Sequence, residues 1–379
     1  MKKLFFVLII AITVFAPVKS FSAQANQNIT PKSKASILIE TSNNTVIFAN
    51  NENKRLPIAS MTKIMLLNIC YEAIDKGELS LDENVTISKT ASGMGGSQVF
   101  LEAGREYKAS DLIKSIIIAS ANDASVAMAE RLFGTEEACV QAMNDKCREW
   151  GLKDTLFSNC TGLPKPTQYS SAYDVALMLS RLIRHKDYFN YSKIWMDEIC
   201  HGERVTGLTN TNKLVKFYDG CDGGKTGFTQ EAGFCLAATA KRGSLRLISV
   251  VINAQDSKSR FAEVSNMLDY GFNNFTNKMV IDSSKPLEID VKVEKSTKAS
   301  IKVAPREDVF MFSQKNLKED VKIDFSPYKV CAPVKKGDKV GKLKIYKNNV
   351  EYRSVDVISL EDVEKKTYFD YIKDIGSKW

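Results

Sequence analysis

The sequence predicts an α+β fold: helices segregated from an antiparallel sheet, then a small all-β domain and a C-terminal amphipathic helix. Three patterns carry this. Strand-like segments at 36–49 are followed by helical apolar spacing through 60–184, and strands return at 233–253. After about residue 278 the chain alternates apolar and polar residues with period two. At the end, aromatic and aliphatic residues recur on one helical face. The 379 residues, 44% hydrophobic and 26% charged, suffice for two cores and exclude disordered, collagen-like and coiled-coil chains.

The first 25 residues read as a secretory leader. Lys2 and Lys3 precede an apolar run from Leu4 to Val18, and Ala23-Gln24-Ala25 is an A-x-A cleavage site. The run is shorter than the roughly 20 apolar residues that a membrane span needs. Cleavage after Ala25 removes three lysines and no acid, taking the formal charge from +8 to +5. That surplus is too small for a nucleic-acid footprint, though it suits a site beside an anionic envelope.

Ile37-Leu38-Ile39 and Val46-Ile47-Phe48 flank the polar Ser42-Asn43-Asn44, which predicts a hairpin. Residues 60–76 and 110–133 have helical spacing, the second opening on Ser110-Asp111 as a cap. Helices follow at 136–150 and 172–184, strands at 233–240 and 246–253, and a long helix near 257–272. The domain of residues 26–278 then gives way, near Ser283-Ser284-Lys285-Pro286, to a β domain over 279–358. There Val340–Ile345 and Val350–Val355 pair across an Asn348-Asn349 turn. Ser359 is read as the cap of a helix over 359–379. Its apolar face is Tyr368, Phe369, Tyr371, Ile372, Ile375 and Trp379, suited to a membrane surface rather than a span.

Eight cysteines lie scattered without a C-x-x-C, mostly in apolar contexts, and read as buried free thiols with one pair left open. With only two histidines and no ligand spacing, neither a metal nor any other cofactor is expected. His185 and His201 read as surface residues. A Ser-His-Asp hydrolase is therefore disfavoured, and a serine enzyme would need another base.

Ser60-Met61-Thr62-Lys63, at the start of an apolar helix, offers one. The i, i+3 spacing puts the Lys63 amine on the face of Ser60, and a desolvated lysine can take a hydroxyl proton. The pattern alone is weak, since Ser326-Pro327-Tyr328-Lys329 repeats it in the β domain. Two further motifs add specificity: Ser120-Ala121-Asn122 at a polar break between apolar helices, and Lys225-Thr226-Gly227 leading into a strand. Ser42-Asn43-Asn44 is a decoy for the former, whereas K-[ST]-G occurs once, and the three motifs stand in the order S-x-x-K, S-x-N, K-T-G.

That set resembles the penicillin-binding proteins and serine β-lactamases. Pro57–Lys63, Ser120–Ser125, Asp222–Thr229, Ala232-Gly233 and Arg246–Val251 narrow the resemblance to the low-molecular-weight D-alanyl-D-alanine carboxypeptidases. The resemblance implies a penicillin-binding/transpeptidase catalytic domain over 26–278 that removes the terminal D-alanine from peptidoglycan pentapeptides and is acylated by β-lactams. It implies Ser60 as nucleophile and Lys63 as base, its pKa lowered by burial and by the cation Lys225. Ser120 would relay a proton, and Asn122 would hold the substrate amide and orient Lys63. The backbone N–H groups of Ser60 and Phe228 would form the oxyanion hole. Lys225, Thr226, Gly227 and Thr229 would surround the substrate carboxylate, with Arg260 as a further carboxylate ligand. Thr211 departs from the pattern, standing where some members have arginine. The location implied is extracytoplasmic, peripheral on the outer face of the cytoplasmic membrane, with no nucleic-acid partner. The rival readings are a β-lactamase, against which Ala121 and the extra β domain count, and a non-catalytic wall or penicillin receptor.

Overall fold

A computed structural model describes residues 29, 30 and 32–376, with side chains described as far as Ile372. The expected leader and Trp379 lie outside the described residues.

Strands β1 (Ser33–Glu40) and β2 (Thr45–Asn50) form the expected hairpin. A 3-10 turn over Ala59–Thr62 leads into helix α1 (Lys63–Asp75). Short strands β3 (Asn84–Thr86) and β4 (Glu106–Lys108) pair around the one-turn helix α2 (Lys89–Ser92). Helices α3 (Ala109–Ile118), α4 (Asn122–Phe133), α5 (Glu136–Trp150), α6 (Ala172–Leu182) and α7 (Tyr188–Ser192) follow. A hairpin of β5 (Met196–His201) and β6 (Arg204–Thr209) precedes α8 (Leu214–Phe217). Three long strands, β7 (Cys221–Thr229), β8 (Gly233–Arg242) and β9 (Leu245–Ala254), lead into α9 (Ser257–Asn274).

The main sheet has the order β2-β1-β9-β8-β7, joining the first two strands of the chain to the last three of this part. Arg246 on β9 forms a bidentate pair with Asp222 on β7, at 2.7 Å for both contacts, which ties the edge strand across the sheet. Helix α1 is buried on every side from Lys63 to Tyr71, as expected of a helix whose apolar residues leave no polar face. It therefore fixes whatever stands at its N-terminus. The expected cap at Ser110-Asp111 is not found: α3 starts at Ala109 after Lys108, and Asp111 sits in its first turn, where a carboxylate complements the helix dipole. The break between α3 and α4 falls at Ser120, whose φ is +63°.

The described residues up to Lys241 together with Arg246–Gly271 make one compact unit, and Arg242–Leu245 with the described residues from Phe272 onward make another. In the second, β10 (Phe275–Ile281) pairs with a later strand and starts ahead of the composition shift near 278. Next come β11 (Val291–Glu294), β12 (Ser300–Ile301), β13 (Val303–Pro305), β14 (Val309–Gln314), β15 (Val321–Pro327), β16 (Val330–Cys331), β17 (Lys339–Lys347) and β18 (Val350–Ser359). The partner of β10 is β14, and β13-β18-β17-β15 form a four-stranded sheet. Asn348 and Asn349, with φ of +50° and +63°, make the expected turn between β17 and β18.

The helix expected from Ser359 is shorter. Ser359 closes β18, and α10 runs over Tyr368–Gly376 behind Thr367, whose N–H donates to Asp370 at 2.8 Å. Residues 360–367 stay with the β unit because Val363 is buried in its core and bridges to Val334. Tyr368 and Phe369 are 76% and 74% exposed.

Candidate active site

The three motifs converge in the first unit. Ser60 lies in the 3-10 turn, partly accessible, while Lys63 at the start of α1 is fully buried. The Lys63 amine donates to Ser60 Oγ at 3.1 Å, to Asn122 Oδ1 at 2.7 Å and to the Thr161 carbonyl at 2.5 Å. Burial lowers its pKa to about 7, with the Cys160 and Asp123 side chains pulling weakly the other way. The expected help from Lys225 is not among the causes. Desolvation leads, because an ammonium enclosed by protein loses most of its hydration.

Lys225 on β7 is also buried. It donates to Ser120 Oγ at 2.8 Å and to the Thr226 carbonyl at 3.2 Å. Burial, then the neighbouring Lys63 and Arg260, push its pKa well below the ordinary lysine value. The left-handed backbone at Ser120 turns its hydroxyl to this amine while Asn122, two residues on, faces Lys63. Strand β7 meets the 3-10 turn at Gly227, where a Cβ would lie 2.5 Å from the Ile58 carbonyl oxygen and 3.3 Å from Ser60 N. Glycine is what allows that approach. The result is a serine hydroxyl beside a near-neutral amine, with a second hydroxyl–amine pair next to it, which can activate a nucleophile and return a proton to a leaving group.

Residues 20–256 match the family described as D-alanyl-D-alanine carboxypeptidase, and residues 275–365 match the C-terminal domain of penicillin-binding protein 5. The chain belongs to the D-alanyl-D-alanine carboxypeptidase family. It is 37% identical to the D-alanyl-D-alanine carboxypeptidase DacF of Bacillus subtilis over 100% of this chain and 99% of the relative. Among solved structures, penicillin-binding protein 5 of Haemophilus influenzae has a TM-score of 0.68 at 28% identity, covering 88% of this chain and 98% of that one. Penicillin-binding protein D2 of Listeria monocytogenes, solved in an ampicillin-bound form, has a TM-score of 0.59 at 29% identity, covering 65% of this chain and all of that one. The chain is accordingly a serine peptidase of the penicillin-binding fold.

The remaining candidates of this carboxypeptidase-family chain occupy different positions. Thr226 Oγ1 donates to Thr211 Oγ1 at 2.8 Å, so the residue standing in for an arginine joins the K-T-G strand by a hydroxyl pair. Phe228 is 54% exposed, its ring 4.4 Å from that of Phe234. Thr229 Oγ1 accepts from Ala232 N at 3.0 Å and thereby caps the turn into β8. Arg260 is buried, donates at 3.3 Å to the carbonyls of Gly227 and Cys235, and lies over the Phe261 ring. It thus grips the strand behind Lys225, and burial lowers its pKa to about 10.

Sequence reading missed the main-chain partners: the Thr161 carbonyl on Lys63, and the carbonyls of Gly95 and Ser97, which accept at 2.7 Å from Asn122 Nδ2 and N. Backbone acceptors have no residue signature. The surface reading of His201 is corrected: it is buried, bonded to Tyr107 and Thr206. His185 is partly exposed and stacks on Tyr71 with its Nδ1 2.8 Å from Asp75; neither contacts Ser60. Six cysteines are buried and two exposed, all as free thiols, and no metal-holding cluster is found among the described residues.

Proposed function

We propose that this protein removes the terminal D-alanine from peptidoglycan stem pentapeptides through an acyl-enzyme on Ser60. The observation that carries the assignment is the enclosed Lys63 amine, near neutrality, 3.1 Å from the Ser60 hydroxyl. Neutral Lys63 accepts the Ser60 proton as Oγ attacks the carbonyl between the two D-alanines. The backbone N–H groups of Ser60 and Phe228 hold the oxyanion, each such donor being worth about 3 kcal/mol in the transition state. Collapse of the tetrahedral intermediate breaks the C–N bond; Ser120, bonded to Lys225, delivers a proton to the departing amine, and the proton held on Lys63 replaces it, which leaves Lys63 neutral again. Water then attacks the ester, with Lys63 again the base, and releases the tetrapeptide and Ser60. Asn122 holds the substrate amide. Lys225, Thr226 and Gly227, with Thr229 closing the turn, receive the terminal carboxylate, whose charge favours the protonated form of Lys225. Arg260 supports this pocket through the strand it grips.

The first unit, ending at Gly271, is assigned to the catalytic domain and the second, from Phe272, to the accessory β domain, in place of a boundary at 278 that would cut β10; residues 1–25 are assigned to an export leader. Action is extracytoplasmic, at the outer face of the cytoplasmic membrane. Helix α10 would lie on that surface, a reading supported by the exposure of Tyr368, Phe369, Tyr371 and Ile372. No described helix is long and apolar enough to cross a membrane. The test is D-alanine release from diacetyl-Lys-D-Ala-D-Ala, together with intact-mass detection of one penicilloyl adduct mapped to Ser60. Absence of both, or an adduct persisting in Ser60→Ala, rejects the assignment.

A further inference from the structure

Asp123, the second residue of α4, has no part in the scheme above, yet it is wholly buried. A buried carboxylate is costly unless its oxygens are satisfied. Here Oδ2 accepts from Val99 N at 3.0 Å and Leu101 N at 3.1 Å, and Oδ1 from Ala124 N at 2.9 Å. No lysine or arginine pairs with it among the described residues. Its charge is balanced by peptide N–H groups and the N-terminus of α4, where the helix dipole favours an anion. Two of those three donors belong to one loop.

The same loop sets Asn122. Gly95 O accepts from Asn122 Nδ2 and Ser97 O from Asn122 N, each at 2.7 Å, leaving Oδ1 to face Lys63. Were the loop to withdraw, the amide would lose the acceptor that fixes which of its ends meets the lysine. The loop also holds a strained residue. Phe100, between the two clamped N–H groups, has φ of +60° and is 54% exposed. A bulky residue in the left-handed region is strained and persists only where its surroundings over-determine it. Asp123 supplies that constraint from inside, and Arg204, donating to the Phe100 carbonyl at 2.7 Å, from outside.

We propose that Asp123 is a positioning residue for the Ser60–Lys63 reaction: its carboxylate clamps the 95–101 loop, which fixes the Asn122 amide that orients the Lys63 amine. The inference rests on the reading of Ser60 and Lys63 given above. Asp123 has a second, electrostatic effect, since a nearby anion favours the charged form of Lys63, which also faces Cys160 and, across the site, Lys225.

The experiment measures benzylpenicillin acylation of Ser60, and D-alanine release from the diacetyl tripeptide, as functions of pH in wild type and Asp123→Asn. The variant keeps the size of the side chain but turns one acceptor oxygen into an N–H donor that faces other donors. Expected is a loss in kcat/KM of about 10- to 100-fold, the scale of small misplacements at a reacting centre. The acid limb should also move to lower pH, because the anion favouring charged Lys63 is gone. A folded variant with wild-type rates and pH profile overturns the proposal. So does a loss that merely follows the unfolded fraction, with no displacement of the acid limb. If Asp123→Asn does not fold, Gly96→Ala decides. Gly96 has φ of +79°, and a Cβ there would lie 2.9 Å from Asn122 Nδ2, so the variant disturbs the same amide from the loop side. At least a 10-fold loss of acylation with an unchanged thermal transition supports the proposal, on the same scale of misplacement, and wild-type acylation overturns it. A wild-type protein inert toward both probes rejects the underlying assignment of Ser60 and Lys63 instead.

Discussion

The same four-residue pattern occurs in both units of this protein and has opposite surroundings. Ser60-Met-Thr-Lys63 straddles a 3-10 turn and the first turn of a helix enclosed by the main core, and its lysine is fully buried with three acceptors. Ser326-Pro-Tyr-Lys329 runs out of strand β15. Its serine is exposed, and its lysine side chain is 77% exposed, with Glu294 at 3.5 Å. Spacing alone therefore makes no base. Enclosure is what differs: it strips water from the Lys63 ammonium and lowers its pKa to about 7, as the base proposed above requires.

The comparison can be broken most decisively at the serines. Ser60→Ala should abolish both the penicilloyl adduct and D-alanine release, while Ser326→Ala should retain both within error by mass spectrometry and by amine assay. Equal loss in the two variants would mean that environment does not distinguish them.

The lysines come next. Lys63→Ala should slow acylation by about 10²- to 10⁴-fold, the usual contribution of a general base, and Lys329→Ala should leave it unchanged. In the wild type the base must be neutral, so kcat/KM should rise with pH through about 7, the value to which burial brings Lys63. A rate already flat well below pH 6 would show that the proton leaves by another route.

A smaller effect is expected at Lys225. Replacement by alanine removes the proposed carboxylate ligand and the hydrogen bond to Ser120. Both kcat and KM should suffer, while the acid limb should stay near its wild-type position, because burial and not Lys225 lowers the Lys63 pKa. A large displacement of the acid limb would contradict this.

The smallest catalytic effect is expected at the C-terminus. A chain ending at Thr367 should keep full peptidase activity and its thermal transition but no longer sediment with anionic liposomes. One ending at Ser359 should lose stability in the β unit by about 1 kcal/mol or more, because it also deletes the buried Val363. If the longer truncation product still binds vesicles, α10 is not the attachment.

The sequence by itself determined what depends on local pattern. Alternation and the Asn348-Asn349 pair marked the β hairpin, since left-handed backbone at two successive positions favours asparagine. The order of S-x-x-K, S-x-N and K-T-G marked the chemistry, and apolar contexts marked the buried thiols. Tertiary structure decided the rest. It set Ser120 Oγ against the Lys225 amine across 105 residues of chain, and brought the Thr161 and Gly95 carbonyls to Lys63 and Asn122. It also started the last helix at Tyr368 instead of Ser359, because Val363 has a core to enter. A peptide carbonyl is the same in every residue, and desolvation belongs to an enclosure rather than to a side chain. Neither can be written in a motif, and together they bring an ordinary lysine toward neutrality beside the Ser60 hydroxyl.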